Sequence, residues 1–143
     1  MERDLVQWFY ERIPSHPRLL VGIGDDAAVL RTSSDANLVA TTDMLMDGVD
    51  FRLTEHAPQR VGRKALAVNL SDLAAMAARP VAALVALALP RVGGEALAKA
   101  LTEGLLPLAA QFDCPLAGGD TNSWEGPLVI SVTALGETPP ERR

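Results

Sequence analysis

Leu66-Ala67-Val68-Asn69-Leu70-Ser71-Asp72-Leu73-Ala74-Ala75-Met76 decides how the rest of the chain is read. Val61, Ala65, Val68 and Met76 fall at helical spacing, and so do Leu66, Leu70 and Leu73. Apolar positions on several sides predict a largely buried helix over residues 57 to 77. Ser71 leaves a second reading open, a cap for a new helical segment after a break near residue 71. Asn69 and Asp72 stand in the middle of this apolar stretch. A buried carboxylate is rare unless it is paired or holds a metal, so Asp72 calls for a partner.

Working outward, residues 4 to 13 read as a short helix with Asp4 as cap, Leu5, Trp8 and Phe9 on one face, and Pro14 as its stop. Trp8 is expected to pack on the domain or on a partner, and His16 to be solvated in a Pro-flanked loop. Gly22-Ile23-Gly24-Asp25-Asp26 is a glycine-rich turn entering a strand over Ala27 to Leu30, and Leu38 to Asp43 is a second strand. The Thr32–Asn37 connection has turn chemistry, which predicts a hairpin between the two. A loop over Met44 to Phe51 enters a further short strand. Beyond the central helix, Arg79-Pro80 is a stop, and the apolar run Val81 to Leu89 predicts a central strand. Glu95 to Phe112 is a second amphipathic helix, which Pro107 is expected to kink or split. Cys114 to Ala117 and Leu128 to Leu135 complete the strands, and Pro139 to Arg143 reads as a linker. The order predicts an α+β fold, a mainly antiparallel or mixed sheet with helices packed on one face.

A chain of 143 residues, 48% apolar and 22% charged, is long enough for one domain with a real core. No apolar run is long enough to span a membrane. The mixed charge of Met1-Glu2-Arg3-Asp4 is unlike a signal peptide. A lone Cys114 excludes an internal disulfide framework, reads as a small core residue, and fits a reducing cytoplasmic compartment. The net charge of −5 argues against generic nucleic-acid binding, which needs a basic face. An acidic chain can still take phosphates through divalent cations.

Four acidic sites adjoin Gly or Thr beside strand-like runs or lie in the apolar helix: Gly24-Asp25-Asp26, Thr41-Thr42-Asp43, Asp72 and Gly118-Gly119-Asp120. Taken singly, each is also a turn, a strand end or a helix cap. Their joint occurrence raises the expectation that the fold gathers them into a Mg²⁺ site for a phosphorylated ligand. Mg²⁺ wants oxygen ligands in octahedral geometry and keeps several waters, a demand that short Asp side chains meet. Lys64 is either part of a solvated face or within reach of a phosphate or an Asp. A P-loop, a dinucleotide fingerprint and a zinc site are all missing from the sequence.

Gly22-Ile23-Gly24-Asp25-Asp26-Ala27, Thr41-Thr42-Asp43, Lys64 through Met76 and Gly118-Gly119-Asp120-Thr121 together resemble the N-terminal domain of the thiamine-monophosphate kinase family, part of the aminoimidazole-ribonucleotide-synthetase-like superfamily. The resemblance runs in order along nearly the whole chain. It implies transfer of the ATP γ-phosphoryl group to thiamine monophosphate. It also implies Mg²⁺ ligation by Asp26, Thr41, Thr42, Asp43, Asp72 and Asp120, and ATP contact by Gly119 and Asp120. Asp50 falls where the family contacts substrate, although His is the more usual residue there. The family carries a second, C-terminal domain, absent from residues 1–143, and pairs as a homodimer through its N-terminal sheets. Two other readings stand beside this one: another ATP-dependent enzyme of the superfamily, and a non-catalytic dimerisation module in which the Asp residues only cap and turn.

Overall fold

The computed structural model of the chain describes residues 2–24 and 27–140. In order these form α1 (Glu2–Arg12), β1 (Leu19–Val21), β2 (Val29–Leu30), β3 (Asn37–Met46), α2 (Pro58–Ala75), β4 (Arg79–Pro90), α3 (Gly94–Gln111), β5 (Leu116–Trp124) and β6 (Val129–Thr138). The succession follows the predicted order with three differences: β1 is too short to be announced by the sequence, the further short strand expected at Phe51 is only an isolated bridge to Asp47, and Asp4 lies inside α1 rather than capping it. The pairing differs in one place. Instead of a hairpin between β2 and β3, β2 pairs with β1, while β3 runs antiparallel to β6 from Asn37↔Thr138 to Met46↔Val129. A ten-residue ladder beside apolar β6 satisfies far more backbone than a two-residue strand could, so it sets the position of β3.

The main sheet has the order β3-β6-β4-β5 and is mixed, since β4 and β5 are parallel and the other pairs antiparallel. The α3 crossover between β4 and β5 permits the parallel pair. Alternation gives the sheet two different faces. One face carries Leu45, Val85, Leu87, Ile130 and Val132 and packs with Leu66, Leu70, Leu101 and Leu105 of α2 and α3 in the main core. The β1–β2 pair covers one end of the other face, where Leu19, Ala28 and Leu30 meet Ala82, Ala117 and Leu135. Along β3 that second face stays open, with Leu38 61% and Met44 60% exposed.

α2 runs through Ser71 without a break. Ser71 is exposed, and Leu66, Leu70 and Leu73 hold the turns on both sides of it in the core. α3 likewise continues through Pro107, which faces solvent while Leu105, Leu106 and Leu108 stay buried. The lost hydrogen bond falls on the wet side, where water can replace it. The two helices approach closely at glycines. A Cβ at Gly62 would lie 2.0 Å from the Leu101 carbonyl oxygen, and one at Gly104 would lie 1.8 Å from that of Gln59.

Both helices end in the same way. Ala78 N–H donates to Leu73 O and Ala77 N–H to Ala74 O; Cys114 N–H donates to Ala109 O and Asp113 N–H to Ala110 O. These are Schellman ends, which put a left-handed residue just past the cap. That residue is Ala77 (φ 55°) in one and Asp113 (φ 51°) in the other. α1 docks on α3 through a two-pronged Arg12–Glu103 pair at 2.7 and 2.8 Å. Trp8 packs against Phe9 and under Lys99, as its packing role predicts.

Candidate functional site

β3 and α2 bring together three of the predicted residues. Alternation along β3 turns Thr41 and Asp43 toward the helices, with Asp43 opposite Val132 of the core face. Asp72 comes down to them from the edge of α2. Thr41 Oγ1 donates to Asp72 Oδ2 at 3.2 Å. Burial, then the hydrogen bond and the charge of Asp72, push the Asp43 carboxyl above the usual carboxylate range. Asp43 Oδ2 is buried and has no hydrogen-bond partner. The corner therefore holds two carboxylates in contact, one oxygen of which lacks any donor from the protein.

The other predicted residues lie elsewhere. Thr42 points to the opposite face, where its hydroxyl donates to Val132 O at 3.3 Å and accepts from Thr133 Oγ1 at 3.0 Å. Gly119 and Asp120 lie on β5, three strands from β3, or about 14 Å at the usual strand spacing. Asp120 pairs in register with Ala86 and shares the face of Thr133, away from α2 and α3. The described carboxylates thus do not form a single cluster. Among the described residues no three His, Cys, Asp or Glu side chains come together. Strand alternation is the physical reason, because neighbouring ligands on β3 and distant ones on β5 cannot all face the same way. Asp26, and Asp25 beside it, lie outside the described residues.

Gly119 and Asp120 open instead on a cleft of about 880 Å³ that wraps the β5 edge. Its wall includes Gly22, Gly24, Gly118, Ser131 and Thr133 on one side and Phe9, Leu101 and Leu105 on the other. A Cβ at Gly119 would lie 1.7 Å from Val85 O, so only glycine fits there.

Asp50 belongs to the turn after β3. Its Oδ2 accepts from Met46 N–H at 2.8 Å, and its carbonyl accepts from Lys64 Nζ at 3.0 Å. Asp47 Oδ1 accepts from Leu53 N–H at 3.0 Å in the same turn. Lys64 therefore bridges α2 to this turn, within the reach the sequence suggests.

His16, expected to be solvated, is held instead. Its Nε2 lies 2.8 Å from Asp113 Oδ1, and its Nδ1 accepts from Arg18 N–H at 3.1 Å. Arg18 adds a bond to Asp113 Oδ2 at 3.0 Å, one to the Asp113 carbonyl, and one to Val81 O at 3.1 Å. The left-handed Asp113 at the end of α3 makes this clamp possible, and no spacing in the sequence announces it. Beside it, burial pushes the Cys114 thiol up to about 11, as suits a core residue. Glu137, also missed, is buried against Ser33 and Arg79.

The α-on-β layer thus carries an acidic pair where β3 meets α2 and, three strands away, a glycine-walled cleft at β5. The chain belongs to the family of the AIR synthase related protein, N-terminal domain, whose pattern matches residues 24–138. It is 45% identical to the thiamine-monophosphate kinase of Rhodopirellula baltica over 145 aligned positions, which cover 96% of this chain and 46% of that protein. The fold is similar to the crystal structure of thiamine-monophosphate kinase from Stenotrophomonas maltophilia, with a TM-score of 0.78 and 43% identity over 95% of this chain and 41% of that one. It is also similar to AaThiL complexed with AMPPCP and TMP, with a TM-score of 0.70 and 30% identity over 96% of this chain and 41% of that one. The chain spans less than half the length of these relatives.

Proposed function

We propose that this chain is the metal- and ATP-binding half of a thiamine-monophosphate kinase, an enzyme that moves the ATP γ-phosphoryl group to thiamine monophosphate and yields thiamine diphosphate. The observation that carries the reading is the Asp43–Asp72 pair with its unpartnered buried oxygen. Two acids in contact repel when ionised, and a hard divalent cation relieves both the repulsion and the missing donor. The donor set is all oxygen, which fits Mg²⁺. When bound, such a cation neutralises phosphate charge as the phosphoryl group moves.

In this reading Asp43 and Asp72 hold the cation, and Thr41 fixes the Asp72 carboxylate. Asp120, three strands away on the other face, does not share that cation within one chain; it and Asp26 are the further ligands that the resemblance implies. Thr42 contributes least through its side chain, since its hydroxyl is already engaged. Gly119 lets phosphate oxygens approach the main chain, and Asp120 faces the ATP phosphates from the cleft. Asp50 keeps one carboxylate oxygen for substrate while the other closes its turn. No side chain has to remove a proton, because a phosphate monoester is already largely ionised at pH 7.

The open face along β3 supports a homodimer paired through the sheets, which would cover Leu38 and Met44 and place nucleotide near the interface. The protein works in the cytoplasm. Among the described residues no helix is long and apolar enough to cross a membrane. The chain alone is expected to show negligible turnover, since the relatives are more than twice its length.

The test is thermal unfolding with and without Mg²⁺ plus a non-hydrolysable ATP analogue, on wild type and Asp72→Asn. At 100 times its Kd the ligand adds about 2.7 kcal/mol to the wild type. A mutant stabilised as much as the wild type removes Asp72 from the site, and clear turnover of thiamine monophosphate by residues 1–143 refutes the division into halves.

A further inference from the structure

Asn69 is the one buried polar residue of the central helix, and the proposed site does not use it. It is completely buried. Its Nδ2 donates to the Ala65 carbonyl one turn back at 3.1 Å, and its Oδ1 has no partner. An unsatisfied buried acceptor is costly, and an apolar side chain of similar size would avoid that cost. Packing against Leu66, Leu70 and Leu73 gives no reason for a carboxamide here.

Position on the helix supplies one. Ala65, Asn69 and Asp72 stand at i, i+4 and i+7, a single stripe. At its Asp72 end this stripe meets β3, where Thr41 bonds Asp72. Among the described residues the other buried side-chain oxygen without a partner is Asp43 Oδ2, on β3. Two acceptors without a donor thus lie on the helix and the strand that carry the carboxylate pair, one of them in the pair itself. A bare cation would answer Asp43. A hydrated cation answers both, because Mg²⁺ keeps several waters and each water has hydrogens to donate.

We propose that Asn69 is a positioning residue of the cation site: its side-chain oxygen accepts a hydrogen bond from a water on the divalent cation held by Asp43 and Asp72. The inference rests on the cation reading above and assigns Asn69 a part in it. Outer-shell partners of this kind orient what the direct ligands hold, and their loss typically weakens metal affinity 10- to 100-fold.

The experiment uses Mn²⁺ as the probe, with free Mn²⁺ followed by electron paramagnetic resonance, on wild type, Asn69→Leu, Asn69→Asp and Asp72→Asn. Urea unfolding of each protein without metal runs alongside. Asn69→Leu is expected to bind Mn²⁺ about tenfold more weakly, with metal-free stability no lower than wild type. Asn69→Asp adds a third carboxylate; its metal-free form is expected to be less stable, and Mn²⁺ to recover that loss. This second variant decides the matter if Asn69→Leu does not fold. Wild-type affinity in Asn69→Leu overturns the proposal, and so does an Asn69→Asp deficit that is the same with and without Mn²⁺. If wild type binds no Mn²⁺, or Asp72→Asn binds it equally well, the cation reading itself falls and takes this inference with it.

Discussion

Two corners of the molecule hold their carboxylates in opposite ways. At the end of α3, Asp113 meets His16 and Arg18, and both pull its carboxyl below the usual range, His16 most. Where β3 meets α2, Asp43 faces burial and another acid, and its carboxyl is pushed up. The first corner is closed, with each charge answered by the protein. The second is left short of a donor. An acid that serves the fold finds its partners within the chain, whereas an acid that serves a ligand keeps an opening. The contrast picks out the proposed pair more sharply than exposure does, since the Asp113 side chain is 71% exposed.

The largest expected difference comes from cutting one partner out of each corner. Arg18→Ala removes bonds to Asp113 and Val81 and leaves two carbonyls and a carboxylate short. A cost of about 2 kcal/mol is expected once solvent screening at exposed Asp113 is discounted. Asp43→Asn removes a charge that the metal-free fold resists, so metal-free stability is expected to stay level or rise. Urea unfolding of both, without metal, reads the two signs. Equal losses would erase the distinction between the corners.

A smaller effect sharpens the comparison at the two helix ends. Ala77 and Asp113 occupy the same left-handed position of the same motif. Glycine relieves the strain of a left-handed L-residue, worth about 1 kcal/mol. Ala77→Gly is therefore expected to raise stability by about that much, because the Ala77 side chain makes no comparable clamp. Asp113→Gly relieves the same strain but abolishes the clamp, so a net loss is expected. A gain in both would mean that the His16–Arg18–Asp113 contacts add nothing to the fold.

Much of this was legible in the sequence because it rests on local periodicity. Most of the order of elements, the helix α2 and the mixed sheet with helices on one face follow from runs that declare their own period, although α2 buries one stripe rather than several sides. Asp43 and Asp72 were readable as candidates because acids are out of place in apolar runs, although Asp72, expected to be buried, stands exposed at the edge of α2. What stayed hidden depends on strand partners and on facing. The true partner of β3 lies about ninety residues further on, across two helices and two strands. Alternation then sends Thr42 away from Asp43 and leaves Asp120 on the far side of the sheet. The clamp was invisible because its members, His16, Arg18 and Asp113, are joined only by a helix end. Asn69 stood in plain view in the central stretch, but an orphaned oxygen appears only once the packing is known.

The smallest effect is also the one that sets the two acids directly against each other: how stability changes as pH rises from about 3 to about 6, a span around the ordinary carboxylate pKa near 4. Asp113 is depressed in the folded state. Above its ordinary pKa the folded form is favoured, and that benefit is lost as pH falls through the lower, folded value. Asp43 is raised. The folded state binds its proton more tightly than the unfolded chain, so its contribution falls as pH climbs from the ordinary value toward the raised one. The two acids therefore tilt the metal-free profile in opposite directions. Asp113→Asn is expected to flatten the climb in stability over this span, and Asp43→Asn to steepen it. Urea midpoints measured at intervals across the span give both slopes. Adding Mg²⁺ is expected to make wild type resemble Asp43→Asn above pH 5, because a cation at Asp43 favours the ionised form that burial and Asp72 oppose. A Mg²⁺ effect of the same size at every pH would mean that the cation binds away from this pair.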